Sequence, residues 1–207
     1  MSSLKLGNLA QQLPQLLQEG FNVNELYKWK GISESDRRFT PLQISCYEGH
    51  VRDAEALIQA GADVDHATEI EELTCLMLPF KGNSRSLVEL LIKHGADVNK
   101  CTSDDGSTAL HFASKSKDTE KLEALLSSQA DLNQQDSNNM TPLFLAVTSR
   151  FKAGVNLLIK RGTSVNHRSN LGGTPAMLAA QTDDTDDVEG QWSHIGLFLC
   201  TSESVMT

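Results

Sequence analysis

Thr40-Pro41-Leu42, Thr74-Cys75-Leu76, Thr108-Ala109-Leu110, Thr141-Pro142-Leu143 and Thr174-Pro175-Ala176 decide the fold of this 207-residue chain. They start 34, 34, 33 and 33 residues apart. A second series keeps step with the first: GADVD at 61–65, GADVN at 95–99, QADLN at 129–133 and GTSVN at 162–166. GFNVN at 20–24 carries that series one unit towards the N-terminus. Two landmarks held in constant phase mark a repeat array, in which each unit must stack on its neighbours to bury its apolar face.

Each unit reads as two short helices and a turn. Thr caps the free N–H groups of a first turn, and a following Pro has no N–H to leave unpaired. Apolar residues then recur at helical spacing, as in Leu42, Ser45 and Cys46, then Val51, Ala54, Leu57 and Ile58. Small residues at Ala113, Ala146, Ala179 and Ala180 let the first helix approach its neighbours. Gly61, Gly95 and Gly162 follow the second helix, where a left-handed residue ends it. Two residues before the Thr, a turn position holds Gly106, Asn139 and Gly172. Arg38 and Glu72 occupy it in the first two full units, so those turns are expected to be less regular.

These residues resemble the ankyrin repeat family, whose signature is a turn, T-P-L-H-x-A, two antiparallel helices and a G-A-D-V-N exit. The resemblance implies an all-α ankyrin-repeat solenoid of paired antiparallel helices with short hairpin-like turns between units. It divides the chain into a partial capping repeat at 1–24, an extended loop at 25–34, and repeats at 35–182. The repeats comprise four full units and the start of a fifth. Residues 183–207 are an acidic, irregular end. Stacking one repeat thick implies an elongated, curved molecule without a deep central cavity. Pro79, five residues after Thr74, falls inside a first helix and reads as a kink or as a distorted, recruited surface. At the C-terminal end, Gly190, Gln191 and Trp192 stand where aliphatics belong. Either an acidic insertion delays the second helix, or the repeat is truncated and a foreign tail follows.

The net charge of -9 comes from 27 acids and 18 bases. Six of those acids and no base lie in 183–207, which leaves 21 acids against 18 bases in 1–182. A nucleic-acid partner is not expected, because phosphate neutralisation needs clustered Lys and Arg. No apolar run approaches a membrane span, and the N-terminus lacks the pattern of a secretory signal. Cys46, Cys75, Cys101 and Cys200 form no CxxC pair, so free thiols in a reducing compartment are expected, the cytoplasm with the nucleus left open.

The chemistry of sites is sparse. His50, His94, His111 and His167 occupy family slots, and His111 is expected to bond backbone or hydroxyl groups between units. No Ser or Cys sits in a nucleophile motif, so no catalytic residue and no enzyme activity are assigned. The run Asp183-Asp184-Thr185-Asp186-Asp187 lacks the Gly and Glu of a calcium loop. No metal and no cofactor are expected. By resemblance the exit residues Asn24, Asn99, Asn133 and Asn166 match positions that an asparaginyl oxygenase can hydroxylate; the plainer reading is a side chain bonding its own hairpin.

The resemblance implies binding of a partner protein by a monomer through the concave face, built from turn tips and the exposed sides of the first helices. Its exposed slots lie four, three and one residues before each Thr, and seven and eight after it. The first two groups are richest in aromatic, aliphatic and Arg side chains, which dominate interface hot spots. Arg37, Phe39, Tyr47, Ile70 and Leu73 are therefore the expected site, with Lys81 and Lys115 pairing acids on the partner. Packing of Phe39 and Leu73 against adjacent turns is the competing reading. The alternative function is a regulatory or substrate-adaptor subunit of a longer protein.

Overall fold

A computed structural model describes residues 8–28, 38–69, 72–78 and 84–179. The chain divides into two compact units, 1–104 and 105–207. The first holds helix α1 (Leu9–Gln18), strands β1 (Tyr27–Lys28) and β2 (Arg38–Phe39), and helices α2 (Pro41–Glu48) and α3 (Val51–Gln59). A 3-10 turn (Cys75–Met77) and helix α4 (Ser84–Lys93) follow. The second holds α5 (Ala109–Ser116), α6 (Thr119–Leu126), α7 (Pro142–Thr148) and α8 (Lys152–Lys160). A further helix begins at 175 and leaves the described residues after 179.

In the second unit α5 packs on α7 and α6 on α8, so first helices meet first helices and second meet second. Leu110, Leu122, Leu125, Leu143, Val155 and Leu158 are all fully buried between them. In the first unit α1 packs on α3, and α3 on α4, around Leu9, Leu57, Leu87 and Leu91. Apolar surface removed from water stabilises each such Leu by roughly 1.5–3 kcal/mol.

The capping signals act as their chemistry requires. Gln43 N–H donates to Thr40 Oγ1 at 3.2 Å, and Thr40 N–H donates back to Gln43 Oε1 at 2.8 Å. Phe144 N–H donates to Thr141 Oγ1, and Met177 N–H to Thr174 Oγ1. Helix α1 starts after Asn8, whose side chain makes no capping bond. Its first-turn N–H of Ala10 instead reaches Asp53 Oδ1 on α3 at 2.9 Å, and Asp53 is buried. The exit glycines Gly61, Gly95 and Gly162 take φ of 91°, 90° and 82° as expected.

The side chains of Asn24 and Asn133 tie one repeat's exit to the next rather than their own hairpin. Asn24 accepts from Asp63 N–H at 2.9 Å and donates to Gly61 O at 3.2 Å. Asn133 Oδ1 likewise accepts from Ser164 N–H at 2.7 Å and from the Thr163 hydroxyl.

Two expectations need correction. The first helix after Thr74 is a single 3-10 turn, not a kinked α-helix. Leu78, which precedes Pro79, is held extended at ψ 146°, the conformation forced on a residue before proline. Pro79 itself lies outside the described residues, as do Trp29 and Lys30 of the expected loop and all of 183–207. Secondly, the segment at 25–34 does not begin as a plain loop: Tyr27 pairs with Phe39 and Lys28 with Arg38 in an antiparallel ladder. Glu72 adopts φ 49°, joining Gly106, Asn139 and Gly172 in the left-handed region. Its turn still departs from the others, because the Thr68 N–H to Leu73 O bond spans one residue more than the Asp136 N–H to Met140 O and Ser169 N–H to Gly173 O bonds.

Candidate functional site

The residues expected at the site fall into three sets. Arg37, Ile70 and Lys81 lie outside the described residues. Tyr47 is half-buried on the last turn of α2, and Lys115 is exposed on the last turn of α5. Phe39 and Leu73 come together, but in a core.

Phe39 is only 1% exposed, so its placement on the binding surface is wrong. The cause is neighbouring structure. Phe39 packs with Ile44 and Leu78, which are 1% and 0% exposed, and half-buried Tyr27 and Leu73 close over the cluster. Tyr27 reaches it from β1 and stacks on Phe21 with ring centroids 6.2 Å apart. Burial, a hydrogen bond to Glu25 and that carboxylate's charge push the Tyr27 phenol up to about 12. For Phe39, competition between a surface role and packing against adjacent turns thus resolves to packing.

The second unit presents the same slots differently. The positions one before and four after each capping Thr hold Phe39, Ile44, Leu73 and Leu78 in the first unit. They hold Ser107, Phe112, Met140 and Leu145 in the second. There they line an open hollow of about 160 Å³. Ser107 is buried at 5% exposure, while Phe112, Met140 and Leu145 are half-buried and face the opening. Phe112 and Leu145 were missed in the sequence because the four-after slot is apolar in every unit and reads as core.

Polar groups complete the walls. Asp105 Oδ1 accepts from Ser107 N–H at 3.0 Å, and Asp136 Oδ1 accepts from the N–H groups of Asn138 and Met140, both at 2.8 Å. His111 is buried beneath them. Its Nδ1 accepts from Thr108 N–H at 3.1 Å and meets the Thr108 hydroxyl at 2.9 Å, which leaves Nε2–H to donate to Met140 O at 3.1 Å. This is the bonding between units expected of His111. Burial holds the imidazole below its usual 6.5, opposed by the Met140 carbonyl and the charges of Asp136 and Asp105.

No acid–base or nucleophilic apparatus is built around this hollow. His111 has both nitrogens engaged in holding turn to helix. The thiols of Cys46 and Cys75 are fully buried. Their mutual contact and desolvation push the Cys75 thiol well up, which makes it a poor nucleophile. Cys101 is exposed. Among the described residues no group of three or more His, Cys, Asp or Glu is gathered as a metal site requires, and no helix is long and apolar enough to cross a membrane.

The family model for ankyrin repeats (3 copies) matches at 54–136, 76–169 and 110–189, and the model for a single ankyrin repeat matches at 37–69. The chain belongs to the ankyrin repeat family. The all-α ankyrin solenoid expected from the sequence is therefore its fold class. Ankyrin repeats are generally protein–protein interaction modules and typically non-enzymatic. A comparison with curated proteins returns no match.

Proposed function

We propose that this protein is a non-enzymatic binding module, and that a partner protein docks on the face made by the turns and first helices. The observation that carries this reading is the open hollow among Ser107, Phe112, Met140 and Leu145. Half-exposed apolar side chains rimmed by charge are what a partner site offers before it is covered. Tyr47 and Lys115 remain members of the site on the last turns of their helices, and Arg37, Ile70, Leu73 and Lys81 remain candidates at its edge. Phe39 does not. The unbridged Cys46 and Cys75 support a reducing compartment, the cytoplasm or the nucleus.

Affinity capture from a lysate of the source cells, read by mass spectrometry, tests the face. A partner retained by the native chain should be weakened at least about tenfold by Phe112→Ala combined with Met140→Ala, since buried anchors dominate interface energy. Far-ultraviolet circular dichroism should stay unchanged. Lys160→Glu, at the end of α8, serves as a control on a second helix and should retain the partner. Loss on Lys160→Glu with retention by the double variant would place the site elsewhere.

A further inference from the structure

We infer that the hollow of the second unit takes one aromatic side chain from a partner segment that also carries a basic residue. This rests on the docking face proposed above and names what that face recognises. The argument is a comparison of the molecule with itself. Four slots recur in the two units, and three of the four stay large and apolar: Ile44 and Phe112, Leu73 and Met140, Leu78 and Leu145. The fourth does not. Where the first unit inserts the ring of Phe39, the second has the hydroxymethyl group of Ser107. In the first unit that ring is 1% exposed and the cluster is closed. In the second a hollow of about 160 Å³ stands open over the buried Ser107. An apolar cavity of about 150 Å³ is the size that accepts a benzene ring. The hollow is open and lined by both polar and apolar groups, and its size is sufficient for one ring where Ser107 replaces Phe.

The walls suit a ring in their chemistry as well. Phe112 offers an aromatic face for offset or edge-on contact, and the Met140 thioether makes favourable sulfur–aromatic contacts. Leu145 supplies the remaining apolar wall. The rim adds the second requirement. Asp105 and Asp136 stand on the turn side, and Lys115 faces from the end of α5. His111 between them has both nitrogens bonded as the neutral imidazole. Two carboxylates against one ammonium give the opening a negative balance, so a Lys or Arg next to the aromatic residue is complementary.

The test uses three capped pentapeptides of sequence Gly-Lys-Phe-Lys-Gly, Gly-Lys-Leu-Lys-Gly and Gly-Glu-Phe-Glu-Gly, titrated into the full chain labelled with ¹⁵N and with ¹³C methyl groups. The first should bind with Kd on the order of 1 mM and move the Met140 and Leu145 methyl resonances upfield by ring current. The Leu peptide should bind about three- to tenfold more weakly, and the Glu peptide should not bind. Ser107→Phe restores the first unit's filling from within and should abolish the shifts while keeping the circular dichroism spectrum. If that variant fails to fold, Phe112→Ala removes one wall and should weaken the Phe peptide but not distinguish it from Leu. Equal binding of Phe and Leu peptides, preference for the Glu peptide, or shifts that persist in folded Ser107→Phe would each overturn the inference. Absence of binding by any peptide would overturn it too. A cellular partner still lost on the Phe112 and Met140 double substitution would then leave the docking face standing without this specificity.

Discussion

Three residues after the capping Thr, one slot holds Gln43 in the first unit and His111 in the second, and both side chains do the same work. Gln43 Nε2 donates to His66 O and Leu73 O at 3.0 and 3.2 Å, and its Oε1 accepts from Thr40 N–H. His111 accepts from Thr108 N–H and donates to Met140 O. The difference is that His111 can be protonated and Gln43 cannot. Burial lowers the folded imidazole below 6.5, so the folded state binds its proton less readily than the unfolded chain. Stability from His111 is therefore fully present above pH 6.5 and is lost as pH falls from there through the lowered folded value. His111→Gln keeps the bonds and removes the proton. Thermal melts between pH 7.5 and 5.5 should show the native melting temperature falling more steeply than that of His111→Gln. Equal slopes would mean that other groups carry the acid sensitivity. His111→Ala, by contrast, leaves Thr108 N–H and Met140 O without partners and should cost about 1–3 kcal/mol at any pH.

At the scale of elements, the start signals at Thr40 and Thr141 were legible because a cap is local chemistry, decided within four residues. The failed first helix after Thr74 was legible only in part. Pro79 announced a disturbance, but the residue that gives way is Leu78, and the outcome is a helix that stops early. Helix α8 carries a feature that local propensity reads with the wrong sign. Replacing a helical Gly by Ala ordinarily stabilises by about 1 kcal/mol. A Cβ on Gly154, however, would lie 2.3 Å from Phe151 Cδ1. Phe151 is itself buried at 6% exposure just before the helix, so its ring has little room to move. Gly154→Ala should therefore destabilise the chain by about 1–3 kcal/mol as an overpacked site, seen as a lower urea midpoint at unchanged m-value. Phe151→Leu combined with Gly154→Ala should recover part of that loss, since the two side chains contend for one space. A stabilised single variant would show that the ring rotates away freely.

At the scale of the whole molecule, period and phase gave the architecture, and exposure was what they withheld. Phe39 stands in a slot that faces outward in a bare repeat, and it is buried because Tyr27, twelve positions earlier, pairs across from it. Ser107 looked like a poor site residue because small polar side chains rarely anchor a partner, yet its smallness is what opens the hollow. Charge was more legible. The acids outnumber the bases overall: 21 to 18 in 1–182, and six to none in 183–207, although 105–182 hold six acids against eight bases. A phosphate backbone needs Lys and Arg gathered on one face, and each contact contributes through release of counterions. With that balance, fluorescence anisotropy with a labelled DNA duplex should show no binding even at about 50 mM salt, where such contacts are strongest. Removal of 183–207 takes the net charge from -9 to -3 and still leaves acids in excess. The shortened chain should therefore also fail to bind. Binding that appeared only on shortening would instead make the acidic end a mask over a basic surface among residues 1–182.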